Sequence, residues 1–316
     1  MLRVFEKKRG VFQEASLSKL SSKSFTWVEC IAPSKTEISV LSKILKVSEE
    51  RMGHYLFPDL RPHVLPGKDL SIITLSVLVG NKSAVRQAPI TMFVVNSNNI
   101  ITLRSKEGPV IEVLEKIMKD NPKTIQSASS FLFELVDEIN DNTYAILDKL
   151  EDQLDYLEDA SFHHPSREIM RKNIDLKKNL LRIHKTLTAD REVLLSIERG
   201  MVPQLKNTQR FRFLYNDLVQ LIEMSDTYRE VLTGVIEIYL SSISNSLNNI
   251  VKKLTVVGSL VLFPTLIASI YGMNFQKTSL VNMPELYWAY GYPFSLSLMV
   301  LSVIGLYIFF KRKKWI

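Results

Sequence analysis

Ten residues toward the C-terminal end share a spacing that could put their side chains to common use: Glu237, Ser241, Ser244, Asn248, Val251, Thr255, Gly258, Leu262, Thr265 and Ser269. Successive steps alternate between four and three, so on an α-helix all of them fall on one face. In its later part that face is small and polar within an otherwise apolar stretch. Hydroxyl and amide oxygens in such a setting can let a neighbouring helix approach closely through small residues. They can equally line a path for ions and water. Periodicity alone does not choose between these two uses. Nothing points to catalysis: no nucleophile–base arrangement stands out, and no Walker-type phosphate loop is present. His163 and His164 read as polar turn residues rather than transition-metal ligands, because no cysteine or further histidine lies near them in sequence.

Such a face has to be carried by a long helix. From Gln204 to Tyr271 no strong breaker occurs before Pro264, which predicts a helix of 68 residues. At about 1.5 Å per residue it would be roughly 100 Å long. That outruns one small domain and implies a stalk bundled with copies of itself. The end of the helix is a membrane segment, since Leu254–Tyr271 is a run of 18 uncharged residues, and Leu286–Phe310 is a second run of 25. A hydrocarbon core about 30 Å thick takes about 20 helical residues. The second run meets this alone, and the first meets it because its helix starts earlier. Tyr287, Trp288, Tyr290 and Tyr292 form an aromatic belt at one boundary. Lys252 and Lys253 precede the first run and Lys311, Arg312, Lys313 and Lys314 follow the second, whereas the connecting segment Gly272–Glu285 has only Lys277. The excess of basic residues on the inner side predicts a multi-pass protein of the cell (plasma or inner) membrane, with both termini cytoplasmic.

The 250 residues before the membrane read as soluble protein. The chain has a net charge of +7, but the charge is segregated: ten acidic residues and one basic residue between Glu134 and Asp159, then eight basic and three acidic between Arg167 and Arg191. Blocks of this kind, with no recognition motif, argue against nucleic acid as a partner. Oppositely charged neighbouring blocks suggest two helices folded back on each other at His163-His164-Pro165, although exposed ion pairs contribute little each. Cys30 is the only cysteine, so the chain has no internal disulfide. The first nine residues lack the continuous apolar stretch of a signal peptide. Phe25–Ile31, Leu70–Val79, Ile90–Val95 and Ile100–Leu103 have strand composition, with a hairpin turn at Asn96–Asn99. Ser34 and Glu37 make a capping box ahead of Ile38, Leu41 and Leu45, and Gly108–Asp120 reads as a further helix. The expected organisation is an α/β cytoplasmic domain (1–125), a cytoplasmic helical hairpin (126–203) and a stalk helix continuing into the first transmembrane helix (204–271). An extracellular loop (272–285), a second transmembrane helix (286–310) and a basic tail (311–316) complete it.

One short motif favours the ion path. Tyr271-Gly272-Met273-Asn274-Phe275 sits at the outer end of the first apolar run, and Met283-Pro284-Glu285-Leu286 precedes the second. Together with Asn248–Thr255 before the membrane, Pro264 within it, Trp288 and Gly291-Tyr292-Pro293 at the second run, and the tail ending Lys-Lys-Trp, this resembles the CorA magnesium-transporter family. The likeness is motif-specific over about residues 237–316, with a weaker match at Arg61-Pro62.

The resemblance implies a homopentameric funnel with the first membrane helix lining a central pore. Gly272, Met273 and Asn274 would be the selectivity filter. Asn248, Val251, Leu254, Gly258, Leu262, Thr265 and Ser269 would line the pore, with Val251, Leu254 and Leu262 as apolar constrictions. Lys311, Arg312, Lys313 and Lys314 would form a basic ring at the cytoplasmic mouth. An acidic residue at the position of Glu237 helps bind regulatory Mg²⁺ between subunits in the family. The implied ion is Mg²⁺, both transported and regulatory, with Co²⁺, Ni²⁺ or Zn²⁺ as alternative cargo; a membrane scaffold without conduction is the competing reading. Mg²⁺ releases its water reluctantly, so a ring of neutral Asn274 side chains accepting hydrogen bonds from a hydrated ion is chemically apt, and Gly272 is expected to supply a sharp backbone turn there. Two features depart from the family. Gln276 stands where an acidic residue is common, and the loop before Met283 is extended.

Overall fold

The computed structural model describes residues 1–16, 24–58, 60–81, 84–105, 109–163, 165–274 and 283–316. They form two compact units, Met1–Ile238 and Tyr239–Ile316.

The first unit is built on a seven-stranded sheet. In chain order the strands are β1 (Leu2–Lys8), β2 (Val11–Glu14), β3 (Thr26–Ile31), β4 (His63–Leu65), β5 (Ser71–Asn81), β6 (Ala84–Asn96) and β7 (Asn99–Arg104). They lie side by side as β2-β1-β3-β7-β6-β5-β4. Only β3 and β7 run parallel, Trp27 opposite Ile100 and Val28 opposite Ile101; the other neighbours are antiparallel. Helices α1 (Lys35–Leu45) and α2 (Glu49–His54) cover one face of the sheet. Helices α3 (Pro109–Asp120), α4 (Ala128–His163) and α5 (Arg167–Glu198) cover the other. Side chains alternate across a strand, so Trp27 and Ile100 enter the core with Phe131 of α4, while Val28, Cys30 and Ile101 enter the core with Leu41 and Met52. Burial on both faces explains why β3 and β7 have no solvent-facing positions.

Local signals operate where the sequence placed them. Ser34 accepts from the Glu37 amide and the Glu37 carboxylate accepts from the Ser34 amide, closing the capping box of α1. Asn96 and Asn99 face each other across the hairpin turn, which Asn98 N–H tightens by donating to Asn96 Oδ1 at 2.8 Å. Helix α5 starts after the Ser166 cap, and the chain leaves it through Gly200 at φ +75°. Strands β1 and β2 lie outside the stretches of strand composition, and β4 directly follows Arg61-Pro62. Strand β6 begins six residues before the apolar Ile90–Val95 stretch, with Pro89 paired to Ser76.

Helix α6 (Phe211–Tyr271) departs from expectation at its start. The predicted first residue, Gln204, is buried outside any helix: its Nε2 donates to the carbonyls of Gly67 and Lys68, and its Oε1 accepts from Ser71. A single-turn 3₁₀ helix at Thr208–Arg210 then leads into α6. The second unit also holds a short 3₁₀ turn at Pro284–Tyr287 and helix α7 (Gly291–Arg312).

Two buried carboxylates in the first unit are handled differently. Glu29 is fully buried and receives Arg104 Nη2 at 2.6 Å, together with Arg3. Asp190 of α5 takes the Ser76 amide on Oδ1 at 3.0 Å, while its Oδ2 is buried without a hydrogen-bond partner. Burial therefore pushes the Asp190 carboxyl well above the usual range, against the opposing pull of the Ser76 amide. A raised folded-state pKa contributes stability that is complete below the unfolded value, about 3.9 for Asp, and is lost as pH rises through the folded one. The D190N variant keeps the acceptor for Ser76 and cannot ionise. It should gain about 1 kcal/mol or more at neutral pH, with a flatter pH profile than the parent in thermal melts of the full-length protein.

Candidate functional site

The first part of α6 is covered and the second is bare. Phe211, Leu214, Leu218, Leu221, Leu232 and Val235 are buried at helical spacing, and after Tyr239 only Val256 is buried on this helix. In the most apolar windows of α6 and α7 only 6% and 11% of residues are covered by the chain itself. A core helix of a soluble protein would be mostly covered, so these surfaces are built for another environment. Both helices are long and apolar enough to cross a membrane.

The predicted stripe lies on the bare part of α6. Ser241, Ser244, Asn248, Thr255, Gly258, Thr265 and Ser269 are exposed, as are Val251 (59%), Leu254 (71%) and Leu262 (63%). Thr255 donates to the Val251 carbonyl at 2.9 Å and Thr265 to the Val261 carbonyl at 2.7 Å. With their protons spent on the helix, these hydroxyls offer lone pairs outward. A Cβ on Gly258 would meet nothing within 4 Å, so nothing in the chain itself demands a glycine there. Pro264 has no N–H to give the carbonyl of Leu260, four residues back.

At its outer end α6 stops by its own hydrogen bonds, Gly272 N–H to the Ala268 carbonyl at 2.9 Å and Met273 N–H to Ile270 at 3.2 Å. The backbone turns at Gly272 and bends at Met273, as expected, without a positive φ at the glycine. A Cβ there would sit 3.2 Å from the Ala268 carbonyl oxygen, so glycine relieves crowding at the helix end instead. Asn274 follows directly, exposed like Gly272 and Met273. Phe275, Gln276 and Lys277 lie outside the described residues. Glu285, in the turn before α7, is half-buried.

Glu237 is exposed on α6 within the first unit. Among the described residues no group of three or more His, Cys, Asp or Glu side chains is arranged to hold a metal ion. His163 Nε2 lies 3.5 Å from Asp159 Oδ1, and His164 is outside the described residues. Lys311, Arg312, Lys313 and Lys314 are exposed at the end of α7, where positive charge complements the helix dipole. The tail turns back so that Trp315 stacks on Phe310 at 5.7 Å. The single chain thus aligns Glu237 and the predicted pore residues along α6, with Gly272, Met273 and Asn274 just past its end and the basic cluster at the end of α7.

The first acidic residues of α4 are half-buried, while those from Asp141 to Asp159 are exposed. Burial, then mutual repulsion, raises the carboxyls of Glu134, Asp137 and Glu138, with Asp141 and Asp217 of α6 among the repelling charges. Arg210 opposes this at Glu134 and lies over the Phe133 ring at 4.0 Å. Asp217 belongs to this group only through folding; no local sequence signal ties it to α4.

Comparison with known proteins decides what kind of molecule this is. The family model described as CorA-like Mg²⁺ transporter protein matches residues 22–312. The chain belongs to the CorA-like Mg²⁺ transporter family. It is 32% identical over 227 residues to the Cobalt/magnesium transport protein CorA of Thermotoga maritima, an alignment covering 71% of this chain and 63% of that protein. It is 31% identical over 316 residues to the protein of the same name from Methanocaldococcus jannaschii, with 98% of each covered. The complete structure of the CorA magnesium transporter from Methanocaldococcus jannaschii superposes with a TM-score of 0.89 at 29% identity, covering 100% of this chain and 99% of that one. The family's α/β soluble domain, long helix and two C-terminal membrane helices are therefore the fold of this chain, and the bare surfaces of α6 and α7 are those of a membrane protein.

Within the family fold, the start of α7 depends on one close approach. A Cβ at Gly291 would fall 2.2 Å from the Glu285 carbonyl oxygen, and Gly291 N–H donates to Trp288 at 3.0 Å. The G291A variant must displace that turn and should lose about 1–3 kcal/mol. G305A, where a Cβ meets nothing within 4 Å, should be neutral. Thermal unfolding of the two variants in detergent checks the contrast.

Proposed function

We propose that the chain forms a homopentameric channel carrying Mg²⁺ into the cell down its electrochemical gradient, closed by Mg²⁺ on the cytosolic side. Family membership makes it a divalent-cation transporter of the Mg²⁺/Co²⁺ type, and the pore, its filter and its gate are the finer reading. The observation that carries it is the exposed polar stripe of α6, which leads to the exposed Asn274. Five such stripes facing an axis would enclose a path, with Asn248 and Asn274 as inner and outer rings. Neutral amides suit an ion that keeps its hydration shell, because they accept from its waters without replacing them. Val251, Leu254 and Leu262 would close the path by expelling water. The membrane potential supplies about 2.3 kcal/mol per unit charge per 100 mV, and doubling for a divalent ion makes inward flow favourable without a chemical fuel. Lysines flanking both spans support a plasma- or inner-membrane protein with both termini on the cytoplasmic side.

N274A removes the outer ring. Mg²⁺ uptake into liposomes should fall by about tenfold or more, the cost of losing the amide acceptors for the ion's hydration shell, while native mass spectrometry still finds a pentamer. Unchanged flux would exclude Asn274 as the filter. Competition by Co²⁺, Ni²⁺ and Zn²⁺ in the same liposomes ranks the cargo.

For the gate, Glu237 is read as one ligand of a regulatory ion between neighbouring subunits. It shares α6 with the pore stripe, so carboxylate repulsion on ion loss would act on the pore helix itself. A ligand moves such an equilibrium only through its different affinity for the two states. E237A should shift inhibition to higher internal Mg²⁺, and E237K, a tethered cation, should hold the channel closed without Mg²⁺. Parent-like inhibition of both variants in flux assays would place the regulatory site elsewhere.

A further inference from the structure

Two neighbouring cavities in the first unit have Pro58 as a common wall. The smaller, about 370 Å³, is lined by Arg86 and Gln87 of β6 and Arg182 of α5. Arg182 is fixed by donating Nη1 to the Val85 carbonyl. A guanidinium has five N–H donors, so the rest of the fork stays available. Gln87 Oε1 lies 3.3 Å from the Thr186 hydroxyl, which also donates to the Arg182 carbonyl at 3.0 Å. Arg86 is exposed and has no acidic partner among the described residues, and no described carboxylate lines the cavity. Two guanidiniums lining one cavity, with no acidic side chain among the described lining residues, suit phosphate or carboxylate oxygens.

The larger cavity, about 610 Å³, has a different character. It is lined by His54, Phe57, Leu60, Arg61 and His63. The Phe57 ring is 59% exposed and lies 5.6 Å from the His54 ring, edge-on at 64°. His63 is itself held against Tyr55 at 6.2 Å, nearly parallel. An exposed aromatic ring beside two imidazoles in a concave, partly apolar site is a platform for a flat heterocycle. One half therefore suits an anion and the other a planar ring, and both volumes are in the range of small-molecule sites, roughly 300–1,000 Å³.

We propose that this double cavity binds a nucleotide, its phosphates on Arg86, Arg182 and Gln87 and its base against Phe57 and His54. Recognition rests on side-chain guanidiniums, in keeping with the absence of a glycine-rich phosphate loop from the sequence. Every residue involved belongs to the first unit, and binding can be read without ion flux, so the assignment stands apart from the transport reading.

Titration calorimetry on the full-length protein in detergent, with EDTA present so that no Mg²⁺ reports indirectly, compares ATP, adenosine and inorganic triphosphate. ATP should bind more tightly than either fragment. R86A and R182Q should each weaken ATP by about tenfold. F57A should weaken ATP by about tenfold, as expected for loss of base stacking, and leave triphosphate unchanged. Arg86 and Phe57 are exposed, so R86A and F57A test the two halves without disturbing the core, and melting curves verify this. Failure of ATP to bind at millimolar concentration, equal binding of ATP and triphosphate, or indifference of ATP binding to F57A would each overturn the proposal.

Discussion

A helix whose covering stops partway along its length governs the chemistry of this molecule. Up to Tyr239, α6 presents a buried row that begins Phe211, Leu214, Leu218, Leu221 and belongs to the core of the first unit. Beyond it Leu247, Ile250, Val257, Val261 and Leu266 are all exposed. Apolar area left in water costs about 25 cal/mol per Å², so this half is stable only against lipid or against other protein. The backbone has no such choice. In hydrocarbon each N–H and C=O must be satisfied within the helix, which is why a continuous helix to Tyr271 matters more than the identity of any side chain it carries. Pro264 is the one residue inside it that gives up a helical hydrogen bond.

The same constraint explains why the residues of interest do not meet. Asn248, Thr255, Thr265 and Ser269 occupy one face of one helix, and side chains on one face cannot converge on a point. They can only enclose something when copies of the face oppose each other. Along this face Thr255 and Thr265 donate their protons to backbone carbonyls, and their hydroxyl lone pairs remain outward.

The soluble unit concentrates charge where its sheet and helices meet. Glu29 is tolerated at full burial because Arg104 and Arg3 reach it, and removing either side of such a set leaves an unpaired charge at a cost of about 3–5 kcal/mol. Cys30, adjacent to it, has its thiol pushed up to about 12 by burial, so it behaves as a small apolar residue rather than a nucleophile. The carboxyls of α4 are not offset to the same degree. Glu134, Asp137 and Glu138 are raised first by burial and then by mutual repulsion, with Asp217 adding to it at Asp137.

What the sequence determined by itself is what adds up over neighbouring residues. The uncharged runs before Tyr271 and Phe310 are membrane spans because transfer free energy sums along a segment. The Ser34–Glu37 box caps α1 because both partners lie within one turn, and the stripe on α6 was legible because a helix turns by a constant angle per residue. Only the tertiary structure decided matters that depend on distant partners. Strand β1 carries four charges in seven residues, and it reads as a strand only once Val4 is seen opposite Val28 of β3. Gln204 looked like the start of a helix until the carbonyls of Gly67 and Lys68 claimed its side chain. Asp190 looked like one acid in a basic helix, and burial against Ser76 made it a carboxyl held toward its protonated form. Arg86 and Arg182 are 96 positions apart, and no pattern along the chain could place them in one cavity, because that distance is set by how α5 packs on β6.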